Sequence, residues 1–131
     1  MEALTTEHIK QLVDRFYDNV KKDNLLGPVC NDVANINWDE HLPRLYQFWN
    51  SIMLGTREYR GNAFAKHIEL NKKVLLTEEH FARWLTLFSI EAQHCLPHDA
   101  AHEIVRRAKQ IASVIQQGIT RINERKAKDA S

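Results

Sequence analysis

Glycine and proline are scarce, at four and three residues in a chain of 131. So few interruptions favour helices. Cysteine stops at two, Cys30 and Cys95, in neither a CxxC nor any other metal-binding spacing, so two reduced thiols are the default reading. Neither sign of charge prevails: 18 Lys and Arg stand against 17 Asp and Glu, a formal charge of +1. A nucleic-acid module would carry a basic face, which this balance does not supply. The basic run from Arg121 to Lys128 reads as a solvated helix end, fraying from about residue 124. No window approaches the ~18 apolar residues of a membrane span, and the N-terminus lacks a charged-then-apolar export signal. The expected setting is cytoplasmic. Motifs are missing as well: no GxGxxG, no GxxxxGK[ST], no HExxH and no GxSxG. The chain does not read as a dinucleotide enzyme, kinase, metalloprotease or serine hydrolase.

What is present fits one globular domain over 1–131, with 44% hydrophobic and 27% charged residues. After a capping Thr5 or Thr6, Ile9, Leu12, Val13, Phe16, Tyr17 and Val20 recur at threes and fours, one face of a helix that stops near Asn24–Pro28. Residues 29–38 have no sustained period and read as a short turn or single helical turn. Leu42, Leu45, Phe48, Trp49, Ile52 and Met53 mark a second helix ended by Gly55. Pro43 is tolerated only near a helix start, so this helix is predicted to begin near Asp39–Glu40. A polar loop over 55–61 leads into a short segment, 62–70, too brief to be stable alone. Thr77-Glu78-Glu79 opens a third long helix with Phe81, Trp84, Leu85, Phe88, Ala92 and Cys95 inward, closed by Pro97. The last runs from His98 or Asp99 into the 120s on Ile104, Ala108, Ile111, Ala112, Ile115, Ile119 and Ile122. The fold class is all-α.

Seven histidines are the chemical leads. His98 and His102, at i, i+4, could share a divalent metal but have no evident third ligand. His8, His80 and His94 lie near helix ends or polar faces and are assigned no site. His41 opens an apolar helix. His67 sits in the weak segment Phe64-Ala65-Lys66-His67-Ile68-Glu69-Leu70 between two strong helices. Such a segment needs a stabilising partner; a coordinated iron would supply one, and an ordinary part-buried histidine is the alternative.

In order along the chain, Phe16-Tyr17 with Val20, Leu26-Gly27-Pro28, His41 with Phe48-Trp49, Lys66-His67-Ile68-Glu69-Leu70, Trp84-Leu85 with Leu87-Phe88, and Arg107-Ala108 with Ile111-Ala112-Ser113 resemble the truncated haemoglobins of group III. The resemblance spans about residues 5–120, and the glycine-pair motifs of the other groups are missing. It implies a two-over-two helical sandwich around haem b (iron protoporphyrin IX), with His67 as proximal iron ligand. Tyr17 and Trp84 would line the distal side, and His41 would be the distal-gate histidine. Where the family often places an aromatic after Gly-Pro, this chain has Val29-Cys30. Leu45, Phe48 and Trp49 are expected as core or haem wall. Arg44 is a propionate partner or a plain exposed arginine, and Lys66 a weaker propionate candidate. Pattern alone leaves Trp84 as core and the Tyr17 hydroxyl free to bind a carbonyl.

The resemblance implies binding of oxygen, nitric oxide, carbon monoxide or other small ligands. Peroxidase-like or nitric oxide dioxygenase-like redox chemistry, with a reductase partner, is the enzymatic option it opens. A cofactor-free helical interaction or regulatory module is the alternative.

Overall fold

The computed structural model describes residues 3–33, 36–57, 59 and 61–130. Thr5 is the N-cap of α1 (Thr6–Lys22): its hydroxyl accepts from the His8 N–H while the His8 ring returns a bond to the cap backbone. The threes-and-fours face becomes the core, with Ile9, Leu12, Val13, Phe16 and Val20 essentially sealed from solvent. The Gly27-Pro28 signal yields a short helical turn, α2 (Leu26–Pro28), running into a π-type turn over Val29–Val33.

The second long helix, α3 (Trp38–Leu54), begins one residue before the sequence-based range. Asn37, not Asp39, supplies the first carbonyl, accepting from the N–H of His41 at 2.9 Å. Pro43 therefore sits in the second turn, where its missing N–H leaves the carbonyl of the exposed Asp39 without its helical donor. Gly55 ends the helix in the left-handed region at φ 68°, a conformation costly for a residue with a Cβ.

The weak segment forms α4 (Ala63–Lys73), ending three residues later than expected and capped by the Asn62 side chain, which accepts from Ala65 N–H at 3.0 Å. Parts of the preceding loop, residues 58 and 60, lie outside the described residues. Thr77 and His80 repeat the Thr–His capping box at the start of α5 (Glu78–Cys95). The last helix, α6, runs from His98 to Ala130.

α1 lies on α3, α5 lies on α6, and the two pairs cross where α1 meets α5. That is the two-over-two sandwich. The main core gathers α1, α3, α5 and the first half of α6 around Phe16, Trp49, Phe88 and Ile104. A second cluster joins Val29, Leu76, Phe81, Ala112, Ile115 and Ile119, with Ile68, Leu70 and Val74 of α4 packed on it. One carboxylate, Glu91, is buried between the layers and held by Arg15 Nε at 2.8 Å and Asn19 Nδ2 at 2.9 Å. No described helix is long and apolar enough to cross a membrane.

Candidate haem site

α4 buries a single residue, Asn71, so most of its face is unspent. On that face His67 is half-buried, with Nδ1 2.7 Å from the Ala63 carbonyl one turn earlier. A carbonyl only accepts, so Nδ1 carries the proton. In the neutral ring this leaves the lone pair on Nε2, the tautomer a metal-binding imidazole requires. Phe81 stands beside the ring, at 6.5 Å between centroids.

His41 faces the same region from α3. Burial, and then electrostatic interaction with Lys66, Arg44 and the His67 ring, hold its imidazole below the ordinary value. Lys66 and Arg44 are exposed, and Tyr59 lies near Arg44 with its ring edge-on to Phe48 at 5.1 Å. The result is a cationic rim beside an aromatic wall.

The Tyr17 hydroxyl is buried from α1, with the Trp84 indole of α5 acting on it as a hydrogen-bond donor would. Burial comes first among the causes that push its phenol well above the ordinary range, so it stays protonated. Phe16 fixes the pair edge-on, 4.7 Å from Tyr17 and 5.3 Å from Trp84, and Trp84 stacks on Phe88 at 5.1 Å. Trp38 closes the group, 5.3 Å from Tyr17 and 5.7 Å from His41, with Lys21 Nζ 4.5 Å over its outer face.

The sequence-expected residues thus fall into three sets. Tyr17, Trp84 and His41 converge through Phe16 and Trp38. His67 stands on α4 beside Phe81, within electrostatic reach of His41. Arg44 and Phe48 line the rim, and Leu45 packs at the core margin. Trp49 is buried in the core proper, stacked on Phe88 at 5.0 Å, and so backs the wall from inside. Trp38 and Tyr59 escaped sequence reading, since both stand in segments without a hydrophobic period. Cys30 packs on the main core near Tyr17 while Val29 joins the second cluster, and burial pushes the Cys30 thiol up to about 11. The His98 and His102 rings meet at 4.7 Å, but no group of three potential metal ligands occurs among the described residues.

These residues fit haem. An imidazole with Nε2 left free by the Ala63 contact, a short helix with little of its own surface buried, aromatic walls and a two-cation rim suit an iron porphyrin with two carboxylates.

A family model for bacterial-like globins matches residues 2–117. The chain belongs to that family, within the group III truncated haemoglobins, and is a haem-binding globin. It is 32% identical over 118 residues to a group 3 truncated haemoglobin of Campylobacter jejuni, covering 88% of this chain and 91% of that protein. The crystal structure of a group III truncated haemoglobin from Campylobacter jejuni superposes with a TM-score of 0.80 at 30% identity. It covers 91% of this chain and 94% of the other. The cofactor-free module is thereby set aside.

Proposed function

We propose that the protein binds oxygen and related diatomic ligands at an iron held by His67, with Tyr17 as the principal hydrogen-bond donor to the ligand. The observation that carries this reading is the Nδ1 contact of His67 with the Ala63 carbonyl, which frees Nε2 for a metal. The group bound would be haem b, its two propionates neutralised by Arg44 and Lys66. When bound, haem would supply an iron able to take a diatomic ligand and exchange electrons with it.

The chain's own residues do the rest. Ala63 fixes the ring of His67 and makes its free nitrogen a stronger donor. With Trp84 as a donor toward its oxygen, the Tyr17 phenol keeps its own proton, raised in pKa chiefly by burial, for an acceptor on the ligand. A polar ligand such as oxygen gains about 1.5–3 kcal/mol from such a bond in a dry site, roughly ten- to hundredfold in release rate. Carbon monoxide, less polar, gains less. His41, kept neutral by burial and neighbouring cations, can donate from the opposite side or swing outward as a gate. Phe16, Phe88 and Trp38 exclude water from these donors.

Slow release suits redox chemistry on the ligand, such as nitric oxide removal or peroxidase action, better than oxygen delivery. A cytoplasmic reductase would then supply electrons.

The test is spectroscopic. Purified protein is expected to be red, with a Soret band that shifts on adding carbon monoxide. A colourless, folded protein that ignores added hemin would end this reading.

A further inference from the structure

Phe64, His67 and Asn71 share one face of α4, at i, i+3 and i+7. The two flanking residues fasten α4 to α6 on either side of the imidazole, beside the packing of Ile68 and Leu70 on the second cluster. Asn71, only 6% exposed, donates from Nδ2 to Asn123 Oδ1 at 3.0 Å and accepts on its own Oδ1 from Leu76 N–H at 3.0 Å. Phe64 lies across Gly118 so closely that a Cβ there would come within 2.5 Å of its ring. Only a residue without a side chain leaves that notch.

The imidazole is therefore suspended between two anchors on neighbouring turns. Both partners, Gly118 and Asn123, sit beyond residue 117, where the family match stops.

From this we infer that the end of α6 is a positioning element for the proximal imidazole: Gly118 and Asn123 set the height and rotation of α4, and so the angle at which His67 meets iron. The inference rests on His67 being the ligand. A Cβ at Gly118 displaces the Phe64 ring or the helix that carries it, and losing the Asn123 oxygen leaves the buried Asn71 amide without that acceptor, so both changes act on the seating of α4.

Resonance Raman spectroscopy of the ferrous, ligand-free protein reads the iron–histidine stretch directly. Gly118→Ala and Asn123→Leu are expected to displace that band and to speed haem transfer to apomyoglobin by about tenfold. The C–O stretch of the carbon monoxide complex, a distal reporter, should stay in place. Asn123→Asp keeps an acceptor for Asn71 and should restore the wild-type band. In a Phe64→Ala background, Gly118→Ala should have no effect on the band, because the ring it displaces is gone; this pair also guards against misfolding of the single variant.

A band unmoved in haem-loaded Gly118→Ala and Asn123→Leu, or moved equally with and without Phe64, overturns the positioning role while leaving His67 as ligand. A wild-type holoprotein with no iron–histidine band overturns both.

Discussion

The Trp84 indole acts on the buried Tyr17 phenol as a hydrogen-bond donor would, drawing its pKa back against the larger rise from burial, so the two groups are expected to act in series rather than side by side. A serial pair behaves differently from two independent contacts, because the first bond polarises the second.

Tyr17→Phe should therefore speed oxygen dissociation ten- to hundredfold, in line with about 1.5–3 kcal/mol for the lost bond. Trp84→Phe should act in the same direction but less, since Tyr17 remains. The double variant should be no faster than Tyr17→Phe alone. Stopped-flow displacement of oxygen by carbon monoxide measures all three. Additive effects would mean that Trp84 reaches the ligand independently.

Haem removal should be felt first in α4. With Asn71 as its one buried residue, this helix has little to hold it when the cofactor is absent. Amide hydrogen exchange over 66–73 in apo-protein should be fast beside that of α1 and α5. Hemin at a hundredfold above its Kd contributes about 2.7 kcal/mol, which would slow opening of the segment by roughly a hundredfold. Equal protection in both forms would mean that α4 does not depend on the cofactor.

Asp23 ties the end of α1 to α5. Its carboxylate accepts from Leu25 N–H at 3.0 Å, Leu26 N–H at 2.9 Å and Arg83 Nη1 at 2.7 Å. Burial pushes its pKa up, but the bonds from Leu26, Arg83 and Leu25 outweigh that and leave it below its ordinary 3.8. The unfolded chain thus binds the proton more readily than the folded one. Stability from this group is complete above 3.8 and is lost as pH falls through the lower folded value. Asp23→Ala should cost about 1–3 kcal/mol in urea unfolding at pH 7. The gap from wild type should narrow as acid protonates the native carboxylate. A gap independent of pH would exclude ionisation as its source.

How much of this could be read beforehand varies with the range of the interaction involved. α1 was legible almost to the residue, because its apolar face and Thr5 cap are both local. The start of α3 was misplaced by one residue because Pro43 was expected in the first turn, whereas the exposed Asp39 carbonyl tolerates a second-turn proline. Tyr17, His41, His67 and Trp84 stood out through family resemblance, and their geometry adds the shared Phe16 contact of Tyr17 and Trp84 and the Ala63 partner of His67. Asn71 and Glu91 left no trace: a polar residue on a helix looks solvated until Asn123 or Arg15 is folded against it. His8 and His80 carried a usable signal, the Thr-x-x-His spacing that makes both of them N-terminal caps.

Haem binding by His67→Gly, followed by the Soret band with and without added imidazole, bears most directly on the iron ligand. Wild type should take up one hemin and keep it; the variant should lose it rapidly and regain a stable complex when imidazole fills the vacated position. A variant that retains haem as firmly as wild type, with no imidazole present, would show that His67 does not hold the iron.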